Sequence, residues 1–357
     1  MQHSVETLAA RFDVTLIGPS GSRKFAPANT TVIECPPSPF PFLCMAFLKG
    51  WRCCSKKTFD LVLGGSGLVS PVTWLLAKIG KARSAVHVHG LDLVVASRIY
   101  QTLFVPFIRR HDVIIANSAN TRVIALDKGC PEQNLRVVNP GVAMPPEASA
   151  DAVAGARAAL GFADRKIVLF VGRMVRRKGL AEFLENAWPQ IVARVPAAML
   201  LVAGDKPGDA LLQDADGRQR LLQAIDSADK DTVTFLGAVS DEVLRNCYTA
   251  AEVLVFPLIR VAGDVEGFGM VAIEAAASGT PTVAFPVGGV TDAVADNVSG
   301  LLVPEGNYVA FADAVIAICQ GGRPDSWSCR NYAEQFSWDA HGQKLLAALG
   351  LTADTPQ

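Results

Sequence analysis

The sequence predicts an α/β protein of two domains, each built on a parallel sheet covered on both faces by helices. Three observations carry this reading. Short apolar runs end at glycine, proline, asparagine or serine, spacers long enough for a helix separate them, and the rhythm pauses at Pro145 and Pro146 before starting again. Buried parallel strands read as near-continuous apolar runs because both faces are covered, and joining them takes a crossover of about a dozen residues or more. A chain of 357 residues also exceeds what a single hydrophobic core normally serves.

In chain order, residues 12–17 (FDVTLI) end at Gly18-Pro19, 59–63 (FDLVL) at Gly64-Gly65, and 85–89 (AVHVH) at Gly90. Residues 112–116 (DVIIA) end at Asn117-Ser118, and 135–138 (LRVV) at Asn139-Pro140-Gly141. The small-residue stretch 147–161 (EASADAVAGARAALG) reads as a linker entering a short helix. A second series follows at 166–171 (KIVLFV), 198–203 (AMLLVA), 233–236, 251–256 and 282–285. Open α/β sheets bind ligands at the carboxyl ends of such strands, so the segments just after them are the candidates for function.

Lys plus Arg number 33 against 34 Asp plus Glu, which gives no bulk attraction for nucleic acid. The eight cysteines form no C-x-x-C pair and lie at no metal-site spacing from histidines, which fits free, mostly buried thiols in a reducing compartment. The opening MQHSVETLAARFD has no signal-peptide character, and no long uninterrupted apolar stretch follows, so a cytoplasmic protein is expected. Residues 42–57 (FLCMAFLKGWRCCSKK) place Phe42, Phe47 and Trp51 beside Lys49, Arg52, Lys56 and Lys57. That mixture suits either a helix packed on the sheet with a solvated basic end or a peripheral anchor on an anionic membrane.

Three segments of the second series carry the candidate chemistry. In 170–179 (FVGRMVRRKG), Gly172 permits close backbone approach, while Arg173 and Lys178 supply fixed positive charge before a helix start, an arrangement suited to a diphosphate. Arg176 and Arg177 have no comparable argument and are expected to be exposed. In 264–281 (DVEGFGMVAIEAAASGTP), Gly267, Phe268 and Gly269 form a turn that leads into a helix from about residue 270. Glu266 precedes that helix and Glu274 lies one turn inside it, so two carboxylates can accept hydroxyl protons from separate parts of a polyhydroxylated ligand. The third, 286–304, sets Gly288 and Gly289 before another helix, a further set of possible backbone donors to phosphate. In the first series, His89 of HVHGLDL stands at a strand end beside Gly90 and Asp92. Ser66, Asn117, Ser118 and Asn139 also mark strand ends and are candidate acceptor contacts.

The succession GRMVRRKG, VEGFGMVAIEAAASGTP and GGVTDAVADNVSGLLV resembles the retaining GT-B glycosyltransferases of glycosyltransferase family 4. HGLD, NSANTR at 117–122, VVNPGV at 137–142 and the terminal FSWDAHGQKLL extend the likeness into the rest of the chain. The resemblance implies two Rossmann-like domains facing each other across a cleft: an acceptor-side domain at 1–145, a nucleotide-sugar-binding domain at 150–335, and a helix at 336–350 crossing back to the first. It implies that Arg173 and Lys178 hold the donor diphosphate, that Glu274 binds the ribose, and that Glu266 with Gly267–Gly269 binds the donor sugar. His89 would stand near the anomeric centre. It further implies retention of configuration, no metal and no cofactor beyond the nucleotide-sugar co-substrate. Within the family, DVEGFG, RMVRRKG and HVHGLD look most like bacterial mannosyltransferases that use GDP-mannose, including the phosphatidylinositol mannoside type. The acceptor would then be a glycolipid, a polyprenyl-linked sugar or an oligosaccharide, reached at the inner face of the membrane. A UDP-sugar donor, a noncatalytic GT-B module in polysaccharide assembly and a sugar-nucleotide epimerase are the alternatives. The sequence departs from the family pattern in one respect. Family members begin with a strand and a glycine-rich loop, whereas MQHSVETLAARFDVTLIG reads as the first helix followed by the second strand.

Overall fold

The computed structural model describes residues 2–204, 215–227, 231–322 and 324–351. It divides into two compact units, the first formed by residues 1–140 together with 338–357 and the second by 141–337.

In the first unit, helix α1 (Gln2–Ala9) leads to strands β1 (Thr15–Pro19) and β2 (Thr31–Cys35), which pair in parallel as a two-stranded sheet. Helix α2 (Pro39–Cys54) then leads to β3 (Leu61–Gly64), and helix α3 (Ser70–Gly80) to β4 (Arg83–Val88). With β5 (Val113–Ala116) and β6 (Leu135–Val137) these strands form a separate parallel sheet in the order β3-β4-β5-β6. Strand β2 was not read from the sequence, although the β-branched run of TVIEC stopping at Pro36-Pro37 is a strand signal. Residues on alternate faces of β4 and β5 go to different cores. Val86, Val88, Ile114 and Ala116 pack with Leu93 and Ile108, whereas Ala85, Val113 and Ile115 pack with Leu345 and Leu349. The latter pair belongs to the C-terminal helix Trp338–Leu349, whose apolar face therefore docks on the first unit, with Arg83 Nη1 donating to the Leu349 carbonyl at 2.9 Å.

The second unit opens with the helix Ala150–Leu160, capped by the Ser149 hydroxyl. Its six strands are β7 (Lys166–Val171), β8 (Ala198–Ala203), β9 (Val233–Gly237), β10 (Val253–Phe256), β11 (Thr282–Ala284) and β12 (Gly300–Leu302), in the parallel order β12-β11-β10-β7-β8-β9. Every residue of β8 and β10 is buried, as a sheet covered on both faces requires. Phe311 sits edge-on to both Phe183 and Phe285 and ties the helix Tyr308–Cys319 to the sheet. Strand β12 was also missed by the sequence reading, because three residues beside glycine make too short a run to register.

The order of this sheet matters for function. The chain lays β8 and then β9 to one side of β7, then returns to place β10 on the other side. The β7–β10 boundary is thus a topological switch point, where the loops leaving two neighbouring strands diverge and open a crevice. All eight cysteines are free, and five of them are buried. Among the described residues, no helix is long and apolar enough to cross a membrane.

Candidate functional site

The two segments singled out for a diphosphate and a sugar leave β7 and β10, so they meet at the switch point although nearly a hundred residues of sequence separate them. Lys178 donates to Glu266 Oε2 at 2.7 Å, and Arg177 Nη2 lies 3.4 Å from the same oxygen. The Lys178 side chain is 7 % exposed and its ammonium stands 4.6 Å from the Phe256 ring centroid, on the last residue of β10. Burial pulls the Lys178 pKa down, the Glu266 carboxylate opposes that pull, and the charges of Arg177 and Arg173 add to it. The site therefore gathers more cations than carboxylates around one buried ammonium, and an incoming anion would relieve the imbalance.

Arg177 is not exposed, contrary to the sequence expectation; its side chain is 11 % exposed. Its Nε is 3.4 Å from Asp264 Oδ1, its Nη1 has no hydrogen-bond partner, and its carbonyl accepts from Ile259 N–H at 3.0 Å. The reason is local. The short 3-10 turn Arg176–Lys178 points successive side chains in different directions, so Arg176 faces solvent while its two neighbours turn inward. Arg173 is exposed.

The turn that carries Glu266 is fixed by glycine packing. A Cβ on Gly288 would come within 2.6 Å of the Glu266 carbonyl oxygen, and one on Gly289 within 2.3 Å of the Gly267 carbonyl oxygen. The Gly289 N–H donates to the Glu266 carbonyl at 2.9 Å. This corrects the expectation that Gly289 offers its N–H to phosphate: the donor is already used, and the pair's visible work is to let one turn lie against the other. Gly269, at φ 103°, is the N-cap of the helix Met270–Ala277 and has no side chain to cover the first N–H groups. Phe268 is buried against Phe336.

Glu274 lies inside that helix and is half-buried. Tyr248 donates its hydroxyl to Glu274 Oε2 at 2.7 Å, and burial raises the carboxyl pKa while this hydrogen bond lowers it. Sequence reasoning did not find Tyr248. It stands in the helix Asp241–Ala250, and no spacing relates it to Glu274.

His89 belongs to the first unit, just beyond β4. It is exposed, and its Nε2–H donates to the Gly65 carbonyl at 3.0 Å, which leaves Nδ1 as an acceptor in the neutral ring. Asp92 accepts from the backbone N–H of both His89 and Gly67, so the HGLD turn is pinned to the loop after β3. His87, one strand pitch away, is buried, and burial with neighbouring His89 lowers its pKa to about 3, so it stays neutral. Of the other strand-end polar residues, Ser118 and Asn139 have structural partners, whereas Asn117 Oδ1 is buried with no hydrogen-bond partner. Ser118 caps the helix Ala119–Asp127, and Asn139 donates to the Asn117 carbonyl at 3.2 Å.

Two parallel-sheet bodies of this kind make up the GT-B fold, and solved structures of that fold superpose on this chain. Anabaena HepE in complex with UDP and glucose matches with a TM-score of 0.77 at 19 % identity over 98 % of this chain and 95 % of that one. Sucrose-phosphate synthase from Thermosynechococcus elongatus matches with a TM-score of 0.76 at 25 % identity, covering 98 % and 91 %. In sequence, residues 2–144 match the family described as Glycosyltransferase Family 4, and residues 165–320 match Glycosyl transferases group 1. A curated relative, D-inositol 3-phosphate glycosyltransferase of Mycobacterium tuberculosis, is 36 % identical over 245 residues, which is 66 % of this chain. The chain spans about half the length of the curated relatives it matches, with 48 % of that protein covered.

Proposed function

We propose that the protein is a retaining, metal-independent hexosyltransferase that moves a sugar from a nucleoside-diphosphate donor to a lipid-linked or polysaccharide-precursor acceptor. One observation carries the reading: the buried Lys178–Glu266 pair at the β7–β10 switch point, flanked by Arg173 and Arg177. A diphosphate arriving there meets positive charge that the protein has already organised, so no metal is called for in the scheme. As the bond from the anomeric carbon to the diphosphate breaks, negative charge grows on the leaving group, and Arg173 and Lys178 stabilise it more than they stabilise the bound donor. Glu266 accepts hydroxyl protons from the sugar, and Glu274, held by Tyr248, accepts from the ribose diol. The incoming hydroxyl enters on the face the diphosphate leaves, with its proton passing to the departing phosphate oxygen, which keeps the anomeric configuration.

The motif likeness favours GDP-mannose as donor. A UDP-sugar is the second reading, favoured by the structural neighbours whose complexes hold UDP and glucose. The inositol-phosphate relative extends the acceptor classes to a polyol phosphate. Purified protein incubated with radiolabelled GDP-mannose, UDP-glucose or UDP-N-acetylglucosamine, plus a bacterial lipid extract or inositol phosphate, tests all of these. Donor-dependent product with one base and not the other settles the donor. Donor binding without product in every mixture would instead support a noncatalytic nucleotide-sugar module.

A further inference from the structure

The basic turn holds one more cation than its contacts use. Glu266 meets both of its cations through Oε2, the Lys178 ammonium at 2.7 Å and Arg177 Nη2 at 3.4 Å. The first is the length of a charge-assisted hydrogen bond, and the second is about 0.5 Å longer than one. Arg177 is no closer to its other carboxylate, with Nε 3.4 Å from Asp264 Oδ1. Its Nε and Nη1 are both buried without a hydrogen-bond partner. Unmade bonds on a buried guanidinium are costly, yet Arg177 stands between two carboxylates and closes on neither.

The backbone explains why this side chain lies so near Glu266. The Ile259 N–H donates to the Arg177 carbonyl at 3.0 Å, which fastens the loop after β10 to the basic turn. Val261 and Asp264 then pair across a tight turn in which Gly263 takes φ 75°, and the chain returns so that Asp264 and Glu266 flank the guanidinium. The Glu266 carbonyl is held in turn by the Gly289 N–H. With both residues anchored through their main chain, side-chain rotation alone is enough to close the gap between them.

Lys178 is placed differently. Its Nζ lies 3.8 Å from where a Gly172 Cβ would be and 4.6 Å from the Phe256 ring centroid, at the ends of β7 and β10 where the crevice opens. Its ammonium is a point charge on a flexible stem, whereas the planar fork of Arg177 can serve two carboxylates at once. A diphosphate entering the crevice carries the same sign as Glu266 and more of it, so the two compete for one ammonium. As the ligand draws Lys178, the Glu266 side chain, 14 % exposed, loses its close cation where little water can replace it.

Resting on the donor reading above, we propose that Arg177 is a reserve counter-ion: when a diphosphate draws Lys178 away, the guanidinium closes on Glu266 Oε2 and holds that carboxylate in place for the donor sugar. Arg177 is thus a positioning residue that acts through Glu266 and not on the phosphates. One lysine then serves the carboxylate in the free protein and the phosphate in the complex, and Glu266 is never left without a cation.

Calorimetric titration with UDP and with GDP tests this, because a nucleoside diphosphate engages Lys178 but brings no sugar for Glu266 to contact. Wild type, Arg177→Gln, Glu266→Gln and the double variant form a cycle. Non-additivity in affinity reads how far the coupling between Arg177 and Glu266 changes from the free to the bound state. Arg177→Gln is expected to weaken nucleotide binding about tenfold or more where Glu266 is present. In the Glu266→Gln background its effect should stay within about twofold, the usual scatter of additivity. An equal loss in both backgrounds, which a guanidinium touching phosphate directly would give, overturns the proposal, and so does wild-type affinity in Arg177→Gln. Where Glu266→Gln does not fold, nitrogen NMR of the arginine side chains in the wild type carries the test. Saturating nucleotide should slow rotation of the Arg177 guanidinium, whose signal is assigned by its loss in Arg177→Lys, and an unchanged signal overturns the exchange. A wild type that binds neither nucleotide refutes the donor reading itself, an outcome distinct from equal losses in a protein that binds.

Discussion

Replacing Glu266 by glutamine keeps the side-chain shape and removes its charge, leaving the Lys178 ammonium, 7 % exposed, and the neighbouring guanidinium of Arg177 without their shared carboxylate. Removing one partner of a buried ion pair costs about 3–5 kcal/mol, because the remaining charge is uncompensated. In a body the size of the second unit, roughly 2–4 °C per kcal/mol converts this to a fall in melting temperature of about 6–20 °C. The pH dependence separates this cause from simple repacking. Burial already holds the folded-state pKa of Lys178 below its unfolded value, so between those two pKa values the unfolded chain binds more protons and stability rises with pH. Losing Glu266 lowers the folded pKa further, and the rising window should extend to lower pH than in the wild type. Glu266→Gln with Lys178→Met should recover most of the loss, since an apolar replacement of a buried pair is often neutral. Denaturant titrations of the three proteins across pH read the result. A Glu266→Gln variant within about 1 kcal/mol of wild type, with the wild-type pH profile, would refute the reasoning.

Tyr248→Phe should cost about 1–3 kcal/mol by leaving half-buried Glu274 short of a donor. Because the folded Glu274 pKa is raised above its unfolded value, stability falls as pH rises between the two. The variant should widen that window upward, and a denaturation series from acid to neutral pH checks it. Gly289→Ala forces a Cβ to within 2.3 Å of the Gly267 carbonyl oxygen, so the Glu266 turn must shift. A fall in nucleotide-sugar affinity by calorimetry is expected, and wild-type affinity and stability together would contradict the packing role. On α2, Trp51 is 50 % and Phe40 77 % exposed, and Arg52 and, just past the helix, Lys56 are exposed as well, whereas the Lys57 ammonium pairs with Asp13 at 3.4 Å and the Lys49 ammonium is tied to the Glu34 carbonyl. Sedimentation with anionic vesicles should drop in a Trp51→Ala, Arg52→Ala double variant, and equal pelleting would count against this surface as a membrane contact.

Loss of Arg173 or Lys178 should lower kcat as well as raise KM, since the charge they meet is larger in the transition state than in the bound donor. Steady-state kinetics with Arg173→Ala, whose exposed side chain makes it the safer variant for folding, would show it. A change in KM alone would assign Arg173 to ground-state binding.

Much of this molecule is local in origin and therefore legible in its sequence. Apolar runs closed by small residues set the strands, Ser118 and Ser149 cap their helices, and Gly269 ends a turn where a helix begins. The motif segments at 170–179 and 264–281 could be read for their charge and glycine content without knowing where either would lie. Tertiary structure decided the rest, because those outcomes depend on strand order. The return of the chain past β7 brings Lys178 to Glu266 and buries Arg177 between Asp264 and Glu266, which no spacing encodes. Packing of separate helices supplies Tyr248 to Glu274 and uses the Gly289 N–H that the sequence alone left available.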